Sequence, residues 1–192
     1  MATTASPYGL RAVNRLDGLP YAGATRLLPI ASGYNTNIFN GDIVSFSGGT
    51  LTRTSGTTGL TAVIGVFVGC TYTDPNLKYK VFRQYFPANT AASDIQAYVI
   101  DDPDVLFQAQ ANGSIVAANI GKNTNIVNTA GSTTTGNSAI AVETSGIATT
   151  STFPLRLVAA VNGPTSTLGD AFTDVLVKFN FGVHLYYNAT GA

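Results

Sequence analysis

The sequence has very little of the residues on which most catalytic and metal sites depend. Among its 192 residues there is one cysteine, one histidine, one glutamate and no tryptophan. A single cysteine excludes an internal disulfide and a cysteine-based zinc site, and a single histidine, His184, removes nearly every histidine-dependent mechanism. The sequence contains no Gly-x-Ser-x-Gly elbow and no phosphate-binding loop, and the lack of tryptophan weighs against sugar chemistry. The chain is therefore predicted not to be an enzyme, with no catalytic residue and no cofactor.

Charge is scarce as well. Charged residues make up 10% of the chain, and ten acidic residues balance ten basic ones, whereas about 25% is typical of globular proteins. Because repulsion between like charges opposes association, a neutral and charge-poor surface favours contact with other proteins. The isoelectric point near 6.5 and the lack of a basic stripe exclude nucleic acid as a partner.

Long apolar segments are also missing. The longest apolar run, residues 61–70, is half of the roughly 20 residues that a membrane-spanning helix needs, so no membrane partner is predicted. The N-terminus has neither the basic start nor the apolar stretch of a signal peptide. We therefore expect the chain to be made and kept in a cytoplasm.

The residues that are abundant predict β-structure. Thr, Val, Ile, Tyr and Phe fit strands, and 20 glycines and 8 prolines supply turns throughout the chain. The fold class predicted is all-β, a compact antiparallel β-barrel or sandwich body with an extended N-terminal arm. Gly48-Gly49 predicts a tight hairpin turn, and the spacing of Gly65 and Gly69 in a fully apolar strand indicates close backbone packing. Further strands are predicted at 79–86, 95–100, 105–110, 155–161, 173–179 and 183–187, with 95–100 and 105–110 as a strand pair that flanks a turn at 101–104.

The first 26 residues differ from the rest. They show little periodicity and carry Arg11, Arg15 and Arg26 against Asp17 alone, and apolar residues are interleaved among these charges. We predict an arm, residues 1–26, and a β-rich body, residues 27–192, which is either one unit or two packed lobes divided near residue 111. The arm is expected to lie on its own body, on a neighbouring subunit or on a larger surface. An irregular first layer of its own domain is the alternative.

One acidic cluster invites comparison with a metal site. Asp101, Asp102 and Asp104 lie together, with Asp94 just upstream, and hard cations bind several carboxylate oxygens. However, no calcium-binding loop pattern is present and Pro103 indicates a turn. An acidic patch facing the arginines of the arm is therefore favoured over a cation site, and no metal ligands are predicted. Cys70 is interpreted as a small buried residue and His184 as a structural residue on a strand face.

Six stretches of sequence resemble small virion structural proteins of tailed bacteriophages, especially those of marine and cyanobacterial hosts. These are residues 7–14, 20–26, 37–44, 65–75, 98–108 and 130–138. The resemblance implies a head decoration, or capsid cement, protein: a non-enzymatic homo-oligomer, expected to be a homotrimer, that binds the outer surface of the capsid. The implied partners are the major capsid protein and other copies of the chain, and the implied location is the virion.

The arm supplies the predicted contact residues. They are Tyr8, Leu10, Arg11, Arg15, Leu19, Tyr21 and Arg26. A receptor- or carbohydrate-binding module of a phage tail or fibre is the main alternative function, and it predicts exposed loop aromatics at Tyr34, Tyr72 and Tyr85. A small virion-associated hydrolase and the major shell protein are further alternatives.

Overall fold

The computed structural model describes residues 4–60, 62–189 and 191. Strands account for 39% of the chain and helical turns for 3%, and antiparallel sheets pack into a compact sandwich, so the predicted fold class is confirmed. None of the helical segments in these ranges has the length and hydropathy to cross a membrane.

Thirteen strands and two short 3₁₀ helices make up the regular structure of the described residues. The strands are β1 (Arg11–Arg15), β2 (Arg26–Pro29), β3 (Ile43–Ser47), β4 (Thr50–Arg53), β5 (Val63–Thr73), β6 (Lys80–Arg83), β7 (Gln96–Ile100), β8 (Val105–Gln110), β9 (Asn123–Thr124), β10 (Ile126–Val127), β11 (Ala141–Val142), β12 (Leu155–Ala160) and β13 (Asp174–Phe179). The 3₁₀ helices span Ala117–Asn119 and Leu185–Tyr187.

Two sheets form the layers of the sandwich. The first has the strand order β1-β8-β13-β12-β9, and the second has the order β2-β7-β5-β3-β4, with β6 also pairing with β5. A single bridge between Ile30 and Leu51 brings the ends of the second sheet together, so this sheet curls on itself. A separate small ladder joins β10 and β11.

The apolar residues divide into two cores. The larger one includes residues from both sheets, among them Val66, Phe107 and Phe179, and it fills the space between the layers. The smaller one, which includes Phe67 and Phe86, contains residues of the second sheet and its loops. Strand β13 shows how the sequence produces this arrangement, because its residues alternate between the larger core and solvent.

Several local predictions are confirmed. Strands β3 and β4 form the hairpin around Gly48-Gly49, with Ser47 opposite Thr50. Strand β5 lies in the middle of the second sheet. At Gly65 a Cβ atom would stand 2.0 Å from the carbonyl oxygen of Ile100, so this glycine allows two backbones to approach closely, as the sequence indicated.

Two predictions near the acidic turn and the C-terminus are wrong. Residues 95–100 and 105–110 do not pair with each other, because β7 lies between β2 and β5 whereas β8 lies between β1 and β13. The turn at 101–104 therefore connects the two sheets. Residues 183–187 do not form a strand either, because Gly182 turns the chain with a φ of +88° and the Nδ1 atom of His184 accepts a hydrogen bond from the Tyr186 amide, which caps the 3₁₀ helix.

The N-terminal segment lies along its own body. Leu10 is 1% exposed and belongs to the larger core, and β1 pairs antiparallel with β8. The Gly9 amide donates a hydrogen bond to the carbonyl of Ile140. Residues 11–15 thus form an edge strand of the first sheet, which their lack of periodicity did not predict.

Candidate interaction surface

The turn at 101–104 is the point where the two sheets, the N-terminal segment and the C-terminal 3₁₀ helix meet. Asp101 accepts two contacts there through its Oδ2 atom. The Nε atom of Arg26 lies 2.9 Å from it, and the Tyr186 hydroxyl donates a hydrogen bond of 2.6 Å. Burial, followed by the hydrogen bond and the charge of Asp101, raises the pKa of Tyr186 to about 12, so this hydroxyl remains a donor at neutral pH.

The other two carboxylates of the turn are paired as well. Asp102 Oδ2 lies 3.6 Å from the Nη1 atom of Arg15. Asp104 Oδ1 lies 3.7 Å from the Nζ atom of Lys178 and accepts a hydrogen bond of 3.4 Å from the Tyr187 hydroxyl. Three acids and three bases therefore neutralise one another in what we call the junction cluster: Asp101, Asp102, Asp104, Arg15, Arg26, Lys178, Tyr186 and Tyr187.

The junction cluster accounts for the acidic turn without a cation. The prediction that this turn faces arginines of the N-terminal segment is confirmed by the pairs with Arg15 and Arg26. Within residues 4–60, 62–189 and 191, no three His, Cys, Asp or Glu side chains are arranged to hold a metal ion. The Arg26 side chain is 58% exposed, so solvent screens its ion pair and the cluster works chiefly by fixing geometry.

A groove of about 550 Å³ opens beside the junction cluster. Arg156 of β12 stands opposite Lys178 of β13, and both point to solvent because their neighbours along each strand are buried. Apolar side chains complete the walls: Leu16, Ile120, Val158, Phe181 and Tyr187. The groove is thus an apolar surface that contains two basic side chains, of which Lys178 is paired with Asp104 of the junction cluster.

Neutral groups orient the guanidinium of Arg156. Its Nε atom donates to the Oδ1 atom of Asn123 at 2.9 Å, and its Nη2 atom donates to the Oδ1 atom of Asn180 at 3.2 Å. Both asparagines are at least 95% buried, so the guanidinium is held firmly. No ion pair involves Arg156 in the part of the chain that the structure describes, and its charge is therefore available to an anion from outside.

Large apolar side chains are exposed around this groove. Leu16 is 50% exposed, Leu19 is 60% exposed and Phe181 is 73% exposed. Phe181 stacks on Tyr187 with ring centroids 5.4 Å apart. Exposed clusters of aromatic and leucine side chains are uncommon on monomeric proteins and mark interaction sites. This surface is therefore typical of a protein–protein contact.

A second exposed patch lies on the other sheet. The turn from β5 into β6, and β6 itself, expose Leu77, Tyr79 and Phe82, the last of them 71% exposed. We call these three residues the β6 patch. Strand β6 pairs with β5 alone in the described part of the chain, so its outer edge is open, and Lys78 and Lys80 flank the apolar side chains.

The seven predicted contact residues do not form one continuous surface. Leu10 is in the larger core, so the prediction that it contacts a partner is wrong for the folded chain. Tyr8 is half-buried: its hydroxyl donates to Asp174 at 3.2 Å and the Arg11 guanidinium lies 4.6 Å over its ring. Burial, with the nearby Asp174 charge, raises the pKa of Tyr8.

The remaining four divide between the junction cluster and the turn beside it. Arg15 and Arg26 bind carboxylates of the cluster. The Tyr21 hydroxyl donates to the carbonyl of Ala24, which is a local contact. Leu19 is 60% exposed and is therefore free to contact another molecule through most of its side chain.

The sequence did not reveal the groove. The alternation of residues along β13 predicts that Lys178 lies on the solvent face. The positions of Phe181 and Tyr187 could not be predicted from sequence patterns. They depend on the 3₁₀ helix that replaces the predicted strand and on contacts with the opposite end of the chain.

The thiol of Cys70 and the imidazole of His184, the groups most suited to nucleophilic or acid–base catalysis, are both buried. Cys70 is 1% exposed, and burial raises the pKa of its thiol to about 12, so its interpretation as a small buried residue is confirmed. His184 is also 1% exposed. Burial lowers its pKa, although Asp101 and backbone groups nearby oppose that effect. His184 is structural, as predicted, but it caps a 3₁₀ helix rather than lying on a strand.

The aromatics expected of a carbohydrate-binding module are not presented to solvent. Tyr72 is 2% exposed. Tyr34 and Tyr85 are half-buried; the Tyr34 hydroxyl accepts a hydrogen bond from the Arg53 amide, and the Tyr85 ring stacks on Phe39 at 5.5 Å. This expectation of the alternative function is therefore wrong.

No family model, curated protein or solved structure matches the chain. Its function has to be inferred from its own residues.

Proposed function

We propose that the chain is a non-enzymatic virion structural protein that binds the outer surface of a phage capsid as a homo-oligomer and stabilises it. The observation that carries the proposal is the presence of two exposed apolar patches on different sheets of a charge-poor protein. One surrounds the groove beside the junction cluster, and the other is the β6 patch. The resemblance to phage decoration proteins supplies the identity of the larger partner.

Two patches suit a protein that binds both copies of itself and a shell. A contact between copies needs one surface, and attachment to the capsid needs another that remains free after the copies have joined. Exposed apolar side chains of this size mark interaction sites on soluble proteins. The low content of charge leaves little repulsion between copies that are packed side by side on a lattice.

We assign the capsid contact to the β6 patch. Phe82 and Tyr79 are the kind of aromatic side chains that dominate binding energy at interfaces, and they stand on a strand whose outer edge is open. Lys78 and Lys80 give this patch a positive rim, which favours an acidic surface on the shell.

Stabilisation follows from binding the assembled lattice in preference to dispersed subunits. A molecule with that preference shifts the equilibrium toward the intact shell by mass action. An oligomer attached through several copies of one weak contact adds avidity to this effect. Neither step requires an active site, which fits the burial of Cys70 and His184.

The test uses phage particles that lack the protein. Purified full-length chain is added, and retention on the particles and their resistance to heat are measured. We expect saturable binding and a higher temperature of DNA release. Failure of the full-length chain to bind any capsid, or its binding to host cells or glycans instead, would overturn the proposal in favour of the tail or fibre module.

Surface variants locate the contact better than truncation does. A chain that begins at Ala24 lacks β1 and Leu10, so weaker binding by it would only report damage to the fold. Phe82→Ser is expected to weaken capsid binding at least about tenfold, because it exposes no new core and removes one large apolar contact. Val116→Ser is the matched control, since Val116 is also half-exposed but lies outside both patches. Equal binding by both variants would remove the β6 patch from the proposal.

A further inference from the structure

We infer that the groove beside the junction cluster receives the turn at residues 16–19 of a second copy of the chain, and that two copies exchange these turns reciprocally about a twofold axis. The inference rests on the proposed function for its premise that the chain associates with itself.

The turn is a preformed projection. Residues 16–20 are all exposed, yet their backbone is fixed by hydrogen bonds from the Arg15 amide to the Leu19 carbonyl at 2.8 Å and from the Gly18 amide to the Arg15 carbonyl at 3.0 Å. The Leu19 amide also donates to the Asp17 side chain at 3.1 Å. Because the turn is already ordered, docking it costs little conformational entropy.

The groove and the turn are both apolar. The turn presents two leucines, Leu16 and Leu19, which are 50% and 60% exposed. The groove offers the side chains of Val158, Ile120 and Phe181 as apolar walls. Leucine side chains of the turn would lose their contact with water in such a groove, which is the main favourable term of association.

Charge complementarity selects this occupant over an arbitrary apolar segment. Asp17 lies between the two leucines and carries the only carboxylate of the turn. Among the described residues of its own chain it is paired only with Arg15, at 3.6 Å and with both side chains more than 40% exposed. The groove contains Arg156, which is held by amide oxygens and has no ion pair in the described ranges, and Lys178. Docking brings the carboxylate to Arg156, whereas Lys178 already faces Asp104.

The position of Leu16 indicates the symmetry. Leu16 belongs to the turn and also lines the groove, so the projection and the cavity that would receive it are adjacent on one face. An adjacent pair of this kind is self-complementary under a twofold rotation, whereas a closed ring needs the two halves of the contact on separate faces. The structure therefore favours a dimer over the homotrimer that the resemblance implies.

Cross-linking with single cysteines tests the contact directly. The Leu19→Cys and Phe181→Cys proteins are mixed in equal amounts, allowed to exchange subunits, oxidised and run on a non-reducing gel. Cys70 is buried and does not interfere. We expect a covalent dimer that contains one chain of each kind. A mixture of Leu19→Cys with Phe82→Cys is the matched control, because Phe82 is equally exposed on the other sheet, and it should give no more than background.

Sedimentation velocity of the full chain gives an independent measurement. The unmodified protein should sediment as a dimer of the 19.9 kDa chain, and Leu19→Asn should weaken dimerisation at least about tenfold, because it removes one large apolar contact. Val116→Asn should leave the dimer unchanged, and circular dichroism should show that both variants are folded. A monomer or a trimer of the unmodified protein, or cross-linking no better than the control, would overturn the inference.

The two proposals fail separately. If the unmodified chain is a monomer in solution but still binds capsids, the turn-and-groove contact is wrong and the proposed function stands. If it forms the cross-linked dimer but binds no capsid, the contact stands and the proposed function is wrong.

Discussion

The Nε atom of Arg53 lies 2.8 Å from the Oδ2 atom of Asp42, in an ion pair whose carboxylate is completely buried. Asp42 also accepts hydrogen bonds from the Phe39 amide at 2.8 Å and from the Ser138 hydroxyl at 2.6 Å. Arg53 in turn donates to the side chain of Asn128. The pair therefore ties the β3–β4 hairpin to the long loop region that follows residue 127.

Replacing Asp42 is expected to destabilise the protein strongly. Asp42→Asn leaves the guanidinium of Arg53, whose side chain is only 14% exposed, without its counter-charge, and removal of one member of a buried pair costs about 3–5 kcal/mol. Ser138→Ala removes two buried hydrogen bonds, the one donated to Asp42 and the one accepted from the Ile140 amide, and should cost about 2 kcal/mol. Urea denaturation at neutral pH measures both values. A loss below 1 kcal/mol for Asp42→Asn would show that the ion pair is not a structural requirement.

Gly65 is expected to tolerate no side chain. A Cβ atom there would overlap the carbonyl oxygen of Ile100 at 2.0 Å, so Gly65→Ala must push β5 away from β7 and disturb the centre of the second sheet. We expect a loss of about 3 kcal/mol, at the upper end of the range for overpacked cores. Gly163→Ala is the control, because no atom lies within 4 Å of its added Cβ.

Thermal denaturation distinguishes the two glycine variants. The Gly163→Ala protein should melt within a few degrees of the parent, whereas Gly65→Ala should melt far lower or fail to accumulate as soluble protein. Equal melting temperatures would contradict the close approach of the two backbones.

The predictions from sequence succeeded where the signal was local. The hairpin at Gly48-Gly49 and the apolar strand that became β5 follow from turn residues and from the pattern of apolar side chains, both of which act over a few residues. Strand pairing between distant segments has no such signal. The turn at 101–104 was for this reason mistaken for a hairpin, although the two flanking strands belong to different sheets.

The candidate site depended on non-local contacts almost entirely. The prediction that Asp101 and its neighbours face arginines of the N-terminal segment was correct, because opposite charges are available in that segment. The groove could not be predicted from the sequence, because its walls combine Leu16 with Phe181 and Tyr187 from the opposite end of the chain. Leu10 was misjudged because an isolated leucine has no periodic partners that mark it as core.

Leu10 and Leu19 should therefore respond differently to the same substitution. Leu10→Ala creates a cavity in the larger core and should cost about 2–5 kcal/mol, whereas Leu19→Ala changes a side chain that is 60% exposed and should change stability by no more than about 0.5 kcal/mol. The free energies of unfolding are measured in urea at a concentration where the chain is monomeric. Equal effects would mean that residues 1–26 are not part of the cooperative fold.

The single histidine is expected to make the protein less stable in acid. Burial lowers the pKa of folded His184 below its ordinary value of 6.5, while Asp101 and Asp102 partly oppose the effect. Above pH 6.5 the ring is neutral in both states and contributes no pH dependence. As the pH falls below 6.5, the unfolded chain binds a proton that the folded chain does not, so the free energy of unfolding decreases, by at most about 1.4 kcal/mol per pH unit, until the pKa of the folded state is reached. Protonation would also remove the Nδ1 acceptor of the Tyr186 amide.

His184→Gln isolates this contribution, because glutamine keeps an acceptor and does not titrate. Urea denaturation of both proteins at pH 7.5, 6.5, 5.5 and 5.0 gives two curves, and their difference removes the carboxylates that also titrate in acid, including Asp174, whose pKa burial raises. We expect the parent to lose stability relative to the variant below pH 6.5 and to run parallel to it above. Parallel curves throughout would mean that the folded and unfolded states bind the proton equally well, and that the ring of His184 reaches solvent in a way its 1% exposure does not allow.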